Sequence, residues 1–444
     1  MLQKPVSPAR AAAFAILLRT ELQGSYASEL LHSDECKQLS PVDRGLTTEL
    51  VMGVLRWRSL LDTEIADVSK QPLDKLDVQV LTALRLGLYQ LRWLDRIPAR
   101  AAIHESVELV KYARKLSAAT FVNAVLRKLQ LAARPTRERT AETVAELAAA
   151  YAHPQWLVER WVKAYGLDYT RLICIHDQEP SMPAIRLVDA RAESELADAG
   201  IRLAPGFMVK SARRVETGNV SGTNAFEQGR VVIQDEASQL VAMLLGRGAS
   251  ILDCCAAPGG KTSILAERNL GCRITAVELH PHRARLLRRL TRAADVHVVN
   301  ADARYLPFEQ FFDRVLVDAP CSGTGTFARN PEIKWRLRQE DLVDLQRRQT
   351  AILRSAMARV SPGSRLVYAT CSLEQDENSD VVDQALRNDK SFHLLDCRSE
   401  LEAMREKGDV VMTDLGSLTN GPYLRTIPGL HLSDGLFAAV LQKN

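Results

Sequence analysis

Two cysteines stand at the ends of two apolar runs. Val315-Leu316-Val317 leads into Asp318-Ala319-Pro320-Cys321-Ser322-Gly323-Thr324-Gly325, and Leu366-Val367-Tyr368-Ala369-Thr370 leads into Cys371-Ser372. Each run has the length and composition of a buried strand. Pro320 and two glycines turn the chain after Asp318, so a carboxylate and a thiol stand side by side at a strand's carboxyl end. If the two strands are neighbours, both thiols face one crevice. Such a pair suits addition to a pyrimidine ring. A thiolate adding to carbon 6 of cytosine makes carbon 5 enamine-like, able to attack an electrophilic methyl group. An acid near ring nitrogen 3, the place for Asp318, stabilises the charge that addition pushes into the ring. The carbon-5 proton must leave before the thiol is eliminated, and a second thiolate, or a water it activates, can take it. Spacing leaves open which thiol attacks. The competing account makes both cysteines small buried hydrophobes.

A ligand loop precedes this pair. The run Ser250-Ile251-Leu252-Asp253 ends in Cys254-Cys255-Ala256-Ala257-Pro258-Gly259-Gly260-Lys261-Thr262. A glycine turn between a first strand and its helix lets backbone N–H groups approach a ligand. The turn is neither GxGxxG nor GxxxxGK[ST], which argues against a nicotinamide dehydrogenase and against a nucleotide triphosphatase. Further on, Arg273-Ile274-Thr275-Ala276-Val277 ends at Glu278, whose carboxylate can accept from the two hydroxyls of an adenosine ribose. Asn300-Ala301-Asp302 closes the next run and can meet an adenine amino group. Glycine turn, Glu278, Asp302 and Asp318 are in the order of a nucleoside site along the carboxyl ends of an open α/β sheet.

These loops need a scaffold. From Ala249 onward, strands expected at 250–254, 273–277, 296–299, 312–318, 364–370 and 436–442 alternate with helices near 261–269, 281–294, 340–360 and 376–388. That alternation predicts a parallel sheet covered on both faces. Residues 148–232 read as a small α+β module, with strands at Ala184–Val188 and Arg230–Ile233, and a helix follows over Asp235–Leu245. Residues 133–147, with Arg134-Pro135-Thr136-Arg137-Glu138-Arg139-Thr140, read as a linker. Residues 1–132 read as all helix. Leu81, Leu84, Leu88 and Leu91 give the cleanest apolar stripe. Asp43 or Asp77 is expected to cap a helix, and Pro98 to open one. The basic residues there, Arg85 and Arg92 among them, read as a solvated face.

The 444-residue length calls for two or three domains. An apolar share of 46% with 25% charged residues is that of a soluble globular protein. No apolar run reaches the roughly 20 residues of a membrane helix. Met1-Leu2-Gln3-Lys4-Pro5 lacks a signal-peptide layout, so a cytoplasmic protein is expected. The eight cysteines form no CxxC pair and no Cys/His ligand spacing, so neither a metal site nor a disulfide framework is expected. The net charge of +4 is compatible with a polyanionic partner.

The motifs resemble a known family. Cys255 to Thr262, Asp318 to Gly325 and Thr370-Cys371-Ser372 are similar to the signatures of the Nop2/Sun family of S-adenosylmethionine-dependent RNA cytosine-C5 methyltransferases. Asn330-Pro331-Glu332-Ile333-Lys334-Trp335, Glu377-Asn378 and Asp434-Gly435-Leu436-Phe437 fit the same pattern. Upstream, Phe121-Val122-Asn123-Ala124-Val125-Leu126-Arg127 and its surroundings resemble the NusB-like RNA-binding domain that marks the family's bacterial Sun/Fmu (RsmB) branch, the 16S ribosomal RNA enzymes.

The resemblance implies a multidomain chain. It has an all-α NusB-like bundle over 1–132, a linker over 133–147, a small α+β RNA-recognition module over 148–232, and an α/β Rossmann-like class I methyltransferase fold over 233–444. It assigns Cys371 as nucleophile and Cys321 to product release, with Asp318 beside them. It gives the S-adenosyl-L-methionine contacts to Cys255, Ala256, Ala257, Pro258, Gly259, Gly260, Lys261, Glu278, Asp302 and Asp318. Glu278 departs from the family's usual aspartate and Leu436 from its usual phenylalanine. The implied partner is 16S ribosomal RNA or a small-subunit assembly intermediate, with no membrane and no stable protein partner. Arg329, Lys334, Arg336 and Arg338 are expected to hold RNA phosphates, and Arg283, Arg285, Arg288, Arg289 and Arg292 to form a solvated outer face. A transfer-RNA enzyme on the same core, and a non-catalytic RNA-binding factor, are the rival readings.

Overall fold

The computed structural model describes residues 6–133, 141–291 and 295–444. The expected linker stretch Arg134–Thr140, the Met1–Pro5 segment and Arg292 lie outside the described residues. The chain forms two compact units: residues 1–180 with 327–336, and 181–326 with 337–444. The expected 148–232 module is divided between them.

The first unit is helical. Its main helices are Pro8–Gln23, Pro41–Arg56, Arg58–Ser69, Val78–Trp93, Ala99–Tyr112 and Ala119–Leu131, followed by Val144–Ala150 and Gln155–His176. Leu50, Leu61, Ile65, Leu84, Leu86, Leu88 and Leu109 are fully buried in one core. Asp77 caps its helix by accepting from the Gln79 amide. Asp43 does not cap. Ser40 takes that place, and Asp43 lies in the helix's first turn with its amide donating to the Ser40 hydroxyl. Pro98 is itself the N-cap rather than the first helical residue. Arg85 and Arg92 are not on a solvated face. Both are buried, Arg85 on both carboxylate oxygens of Asp62 and Arg92 on Glu64.

The second unit holds two sheets. The smaller is antiparallel, in the order β2-β3-β1-β4, built from β1 (Ala184–Leu187), β2 (Arg202–Pro205), β3 (Ala212–Thr217) and β4 (Val231–Ile233). The larger contains β5 (Ser250–Asp253), β6 (Arg273–Glu278), β7 (Val296–Asn300), β8 (Phe312–Asp318), β9 (Val360–Thr370), β10 (Phe392–Leu395), β11 (Thr419–Asn420), β12 (Tyr423–Thr426) and β13 (Leu436–Lys443). Its order is β11-β12-β13-β9-β8-β5-β6-β7, with β10 also on β13. The pairs among β7, β6, β5, β8 and β9 are parallel. The expectation of a wholly parallel sheet is corrected at one edge: β13 runs antiparallel to β9, β10 and β12. The reason is local. β13 enters from a compact turn segment rather than from a crossover helix, and a short connection returns a strand antiparallel. Ile251, Leu252, Val315, Leu316, Val317, Leu366 and Val367 are fully buried, as a parallel sheet covered on both faces requires. β5 lies between β6 and β8, so the strand order reverses there. That places the ligand crevice above the carboxyl ends of these strands.

Candidate active site

Parallel register brings the sequence motifs to one edge of the sheet. Asp318 at the end of β8 pairs with Ala369 on β9, and Asp253 at the end of β5 pairs with Leu316 on β8 and Ala276 on β6. Glu278 on β6 lies opposite Asn300 on β7. Beyond the last ladder pair, the two cysteine loops meet: Cys321 Sγ and Cys371 Sγ are 3.3 Å apart, within S–H···S hydrogen-bond distance. Both residues are partly exposed and neither is in a disulfide. The hydrogen bond to Cys371, then burial, then the nearby Cys371 and Glu377 charges push the Cys321 thiol well above its ordinary range.

Lys261 reaches the same place from the helix that begins at Gly260. Its Nζ donates to Asp318 Oδ2 at 2.6 Å. Burial pushes the Lys261 ammonium down, but the charge and hydrogen bond of Asp318, with Cys371 and Asp253 behind them, outweigh it and leave it raised. Gly259 makes the turn before this helix at a φ of +113°, and a Cβ on it would lie 2.9 Å from Leu287 Cδ1. Arg283 ties the turn from outside, donating to the Ala257 carbonyl at 3.0 Å.

Three carboxylates flank the loop. Glu278 is buried, and its Oε1 accepts from the His280 amide at 2.8 Å. Asp302 is engaged by its own turn. It accepts from the Arg304 amide and guanidinium, and that side-chain hydrogen bond leads the causes that hold it below the usual carboxylate range. Asp253 is 1% exposed; Oδ2 accepts from the Thr262 hydroxyl at 2.8 Å, and Oδ1 has no partner. Burial pushes Asp253 up to about 7, against the pull of Thr262. Sequence reasoning gave Asp253 no role beyond ending its strand; Thr262, nine residues on, is its hydrogen-bond partner.

The basic cluster expected around the central motif is corrected. Lys334 is 1% exposed, and its Nζ donates to the carbonyls of Arg56 and Ala152 at 3.0 and 3.2 Å. Arg336 spends its guanidinium on the carbonyls of Thr20, Gly24 and Ser25. Hydrogen bonding inside the helical unit consumes both cations, so neither is left for phosphate. Arg329 and Arg338 remain exposed, Arg338 beside Asp341 at 3.5 Å.

Residues 242–442 match the family model described as 16S rRNA methyltransferase RsmB/F, and residues 7–131 match the NusB family. A Bacillus subtilis protein named a probable ribosomal RNA small subunit methyltransferase B is 37% identical over 86% of this chain and 88% of its own length. The chain belongs to the RsmB/F methyltransferase family. A Salmonella paratyphi B relative, named ribosomal RNA small subunit methyltransferase B, is 33% identical across 95% of both chains. The solved structure of PH0851 shares the fold, with a TM-score of 0.82 over 100% of both chains at 24% identity. The RsmB/F match spans the ligand loop and both cysteines, and the NusB match spans the main helices of the first unit. Among the described residues, no helix is long and apolar enough to cross a membrane.

Proposed function

We propose that this RsmB/F family member transfers a methyl group from S-adenosylmethionine to carbon 5 of a cytosine in 16S ribosomal RNA, through a covalent bond between Cys371 and the ring. The observation that carries the reading is the 3.3 Å separation of the two sulfurs at the ends of adjacent strands. The names of the relatives support a small-subunit ribosomal RNA substrate, presented as naked RNA or as an assembly intermediate. The residues present fit the cofactor. Glu278 has one oxygen on His280, and its second has no partner among the described residues, as a ribose hydroxyl requires. Gly259, Gly260 and the Cys255–Pro258 turn open a path to backbone N–H groups at a helix start. Asp302 is tied to Arg304 and would need to release one oxygen to meet the adenine amino group. When bound there, S-adenosylmethionine supplies an electrophilic methyl group to carbon 5.

The chain's own residues then divide the work. Cys371, as the thiolate, adds to carbon 6. Asp318 faces ring nitrogen 3 and relays to it a proton from the Lys261 ammonium, neutralising the charge that addition creates and taking the proton back when the adduct breaks down. Cys321 begins as a thiol hydrogen-bonded to Cys371. Once the Cys371 sulfur is bonded to carbon it carries no charge, so the largest cause raising Cys321 is relieved and Cys321 gives its proton to solvent water. It then removes the carbon-5 proton, and the carbon–sulfur bond breaks, returning the Cys371 thiolate. The helical unit and the small sheet module are proposed to hold the RNA, with the base turned out of its stack to reach the thiols.

The test is incubation of the protein with 16S transcript or small-subunit particles and labelled methyl donor, followed by bisulfite mapping. Label in a single cytosine is the expected result. Cys371→Ala should abolish transfer with cofactor affinity retained, and Cys321→Ala should accumulate a protein–RNA band on a denaturing gel. Transfer to another base, or full turnover by Cys371→Ala, overturns the reading.

A further inference from the structure

Strand pairing does not by itself set the distance between the thiols. The last ladder pair of β8 and β9 is Asp318 with Ala369. The Ala319 amide donates to the Ala369 carbonyl, and the next backbone link between the loops among the described residues is Gly325 N to Cys371 O, at 3.0 Å. Cys321 lies in the stretch between them. Thr324 links the loops beyond the cysteines, its hydroxyl accepting from the Leu373 amide at 2.9 Å, and a buried carboxylate spans the gap at the residues beside the thiols.

Glu377 is fully buried at the end of the short helical turn Gln375–Glu377. Four donors converge on its two oxygens. Oε1 accepts from the Ser322 amide and from Gln349 Nε2, both at 2.8 Å. Oε2 accepts from the Ser372 hydroxyl at 2.5 Å and from the Ser322 hydroxyl. A carboxylate offers about four lone-pair sites, so its capacity is filled. Ser322 follows Cys321 and Ser372 follows Cys371, so the one side chain grips the residue beside each thiol. The two serine hydroxyls also lie 3.1 Å apart.

The clamp is itself braced. Tyr368 donates its hydroxyl to the Glu377 carbonyl at 2.6 Å, and Asn378 joins the Thr370 hydroxyl to the Ser372 carbonyl. Gln349, from the helix Asp341–Met357, also donates to the Pro320 carbonyl at 3.0 Å. The cysteine loops, the turn and this helix therefore share one network of buried hydrogen bonds.

We propose that Glu377 is a positioning residue that fixes the separation of Cys321 and Cys371, so that nucleophile and base address adjacent atoms of one ring. The inference rests on the reading of the two thiols under the proposed function. It explains why a carboxylate is used. Glutamine keeps the shape but has one acceptor oxygen and two N–H donors, so it leaves two of the four donors facing an N–H group.

The test compares wild type with Glu377→Gln, and uses Ser372→Ala as a milder cut of the same network. Dibromobimane alkylates one thiol and then closes a bridge if a second is in reach. The fraction of Cys321 or Cys371 monoadducts that close the 321–371 bridge, mapped by peptide mass spectrometry, reads thiol separation without reference to activity. Glu377→Gln is expected to lower that fraction and to cut kcat by about 100-fold, the effect of a 1 Å misplacement. KM for RNA and calorimetric cofactor affinity should stay within about twofold of wild type. Ser372→Ala should shift the bridge fraction and kcat in the same direction, less far. An unchanged bridge fraction in folded Glu377→Gln overturns the assignment, as does cofactor affinity falling in step with kcat. If Glu377→Gln does not fold, an unchanged bridge fraction and kcat in Ser372→Ala overturn it. Absence of methyl transfer by wild type would instead strike the proposed function, and the bridge fractions would still decide the clamp.

Discussion

Cys321 and Asp253 both hold their protons more tightly than usual, and the cause differs. For Cys321 the leading cause is its partner thiol, which the reaction itself consumes. Decay of the covalent adduct should therefore speed up as pH rises toward the raised range of Cys321, with adduct formation as the reference phase. Rapid-quench denaturing gels measure both phases, and an adduct decay that is flat with pH would count against Cys321 as the base. For Asp253 the cause is burial, which moves it from 3.8 to about 7. Between those values the folded chain keeps a proton that the unfolded chain has lost. Unfolding free energy therefore falls as pH rises through this window, and the loss is complete above about 7. Asp253→Asn should remove the fall and gain about 1–4 kcal/mol over wild type at pH 8, with little difference near pH 4. Urea denaturation at the two pH values, without cofactor, measures it. Both groups show where reading a sequence stops. The cysteines were legible because motif and strand end coincide. The grip of Glu377 on Ser322 and Ser372 was not, because it depends on a turn 55 residues from one serine folding over the other. Its residues fitted a family pattern, but nothing local revealed their partners.

At the scale of elements, apolar strands between clear turn signals were readable, β4 and β7 at sheet edges included, and short mixed strands were not. β8 has the bounds expected, since seven residues between clear turn signals leave little choice. β9 begins at Val360 rather than 364 because Ser361-Pro362-Gly363 reads as a turn, yet its backbone joins the ladder. β2, β3, β10, β11 and β12 are short and largely polar or mixed, and their pairing is set by distant partners. The helix expected to 294 is observed over Pro281–Leu290. Two elements that the sequence showed as separate motifs meet through glycine. The Gly325 carbonyl accepts from the Gly435 amide at 2.8 Å, and a Cβ on Gly325 would lie 2.1 Å from the Gly435 oxygen. The contact pins the Cys321 loop to the start of β13 backbone to backbone, leaving no side chain that could yield. Gly325→Ala should cost about 1–3 kcal/mol by overpacking and should lower kcat, since the loop that shifts carries Cys321. Chemical denaturation with parallel single-turnover assays checks both. An alanine variant of wild-type stability would mean that the loops part without strain.

At the scale of the whole molecule, the helical unit is not continuous in sequence. Residues 327–336 belong with 1–180, and this short segment is bound partly by side chains, Lys334 and Arg336, that a reading of charge assigned to RNA. Phe327 packs near Trp161 and His153, with ring centroids 5.8 and 6.3 Å away. Glu332 accepts from the Ala27 amide, and Trp335 donates to the Leu55 carbonyl. Lys334 is the centre of this seam. Burial pushes its ammonium down to about 7 and pushes the buried Asp177 up to about 8, each partly offset by the other's charge. Charge counting along the chain could not foresee this, because it treats every lysine as solvated. Lys334→Met keeps the length but leaves the Ala152 carbonyl without its lysine donor and the Arg56 carbonyl with Gln178 alone. The expected loss is about 2–4 kcal/mol. All five tryptophans, Trp57, Trp93, Trp156, Trp161 and Trp335, lie in this unit, so tryptophan emission follows its unfolding alone. Denaturation followed by that signal should show a lower midpoint for Lys334→Met. A midpoint equal to wild type would mean that the seam gains its stability from Phe327 and Trp335 packing, with the buried cation contributing nothing.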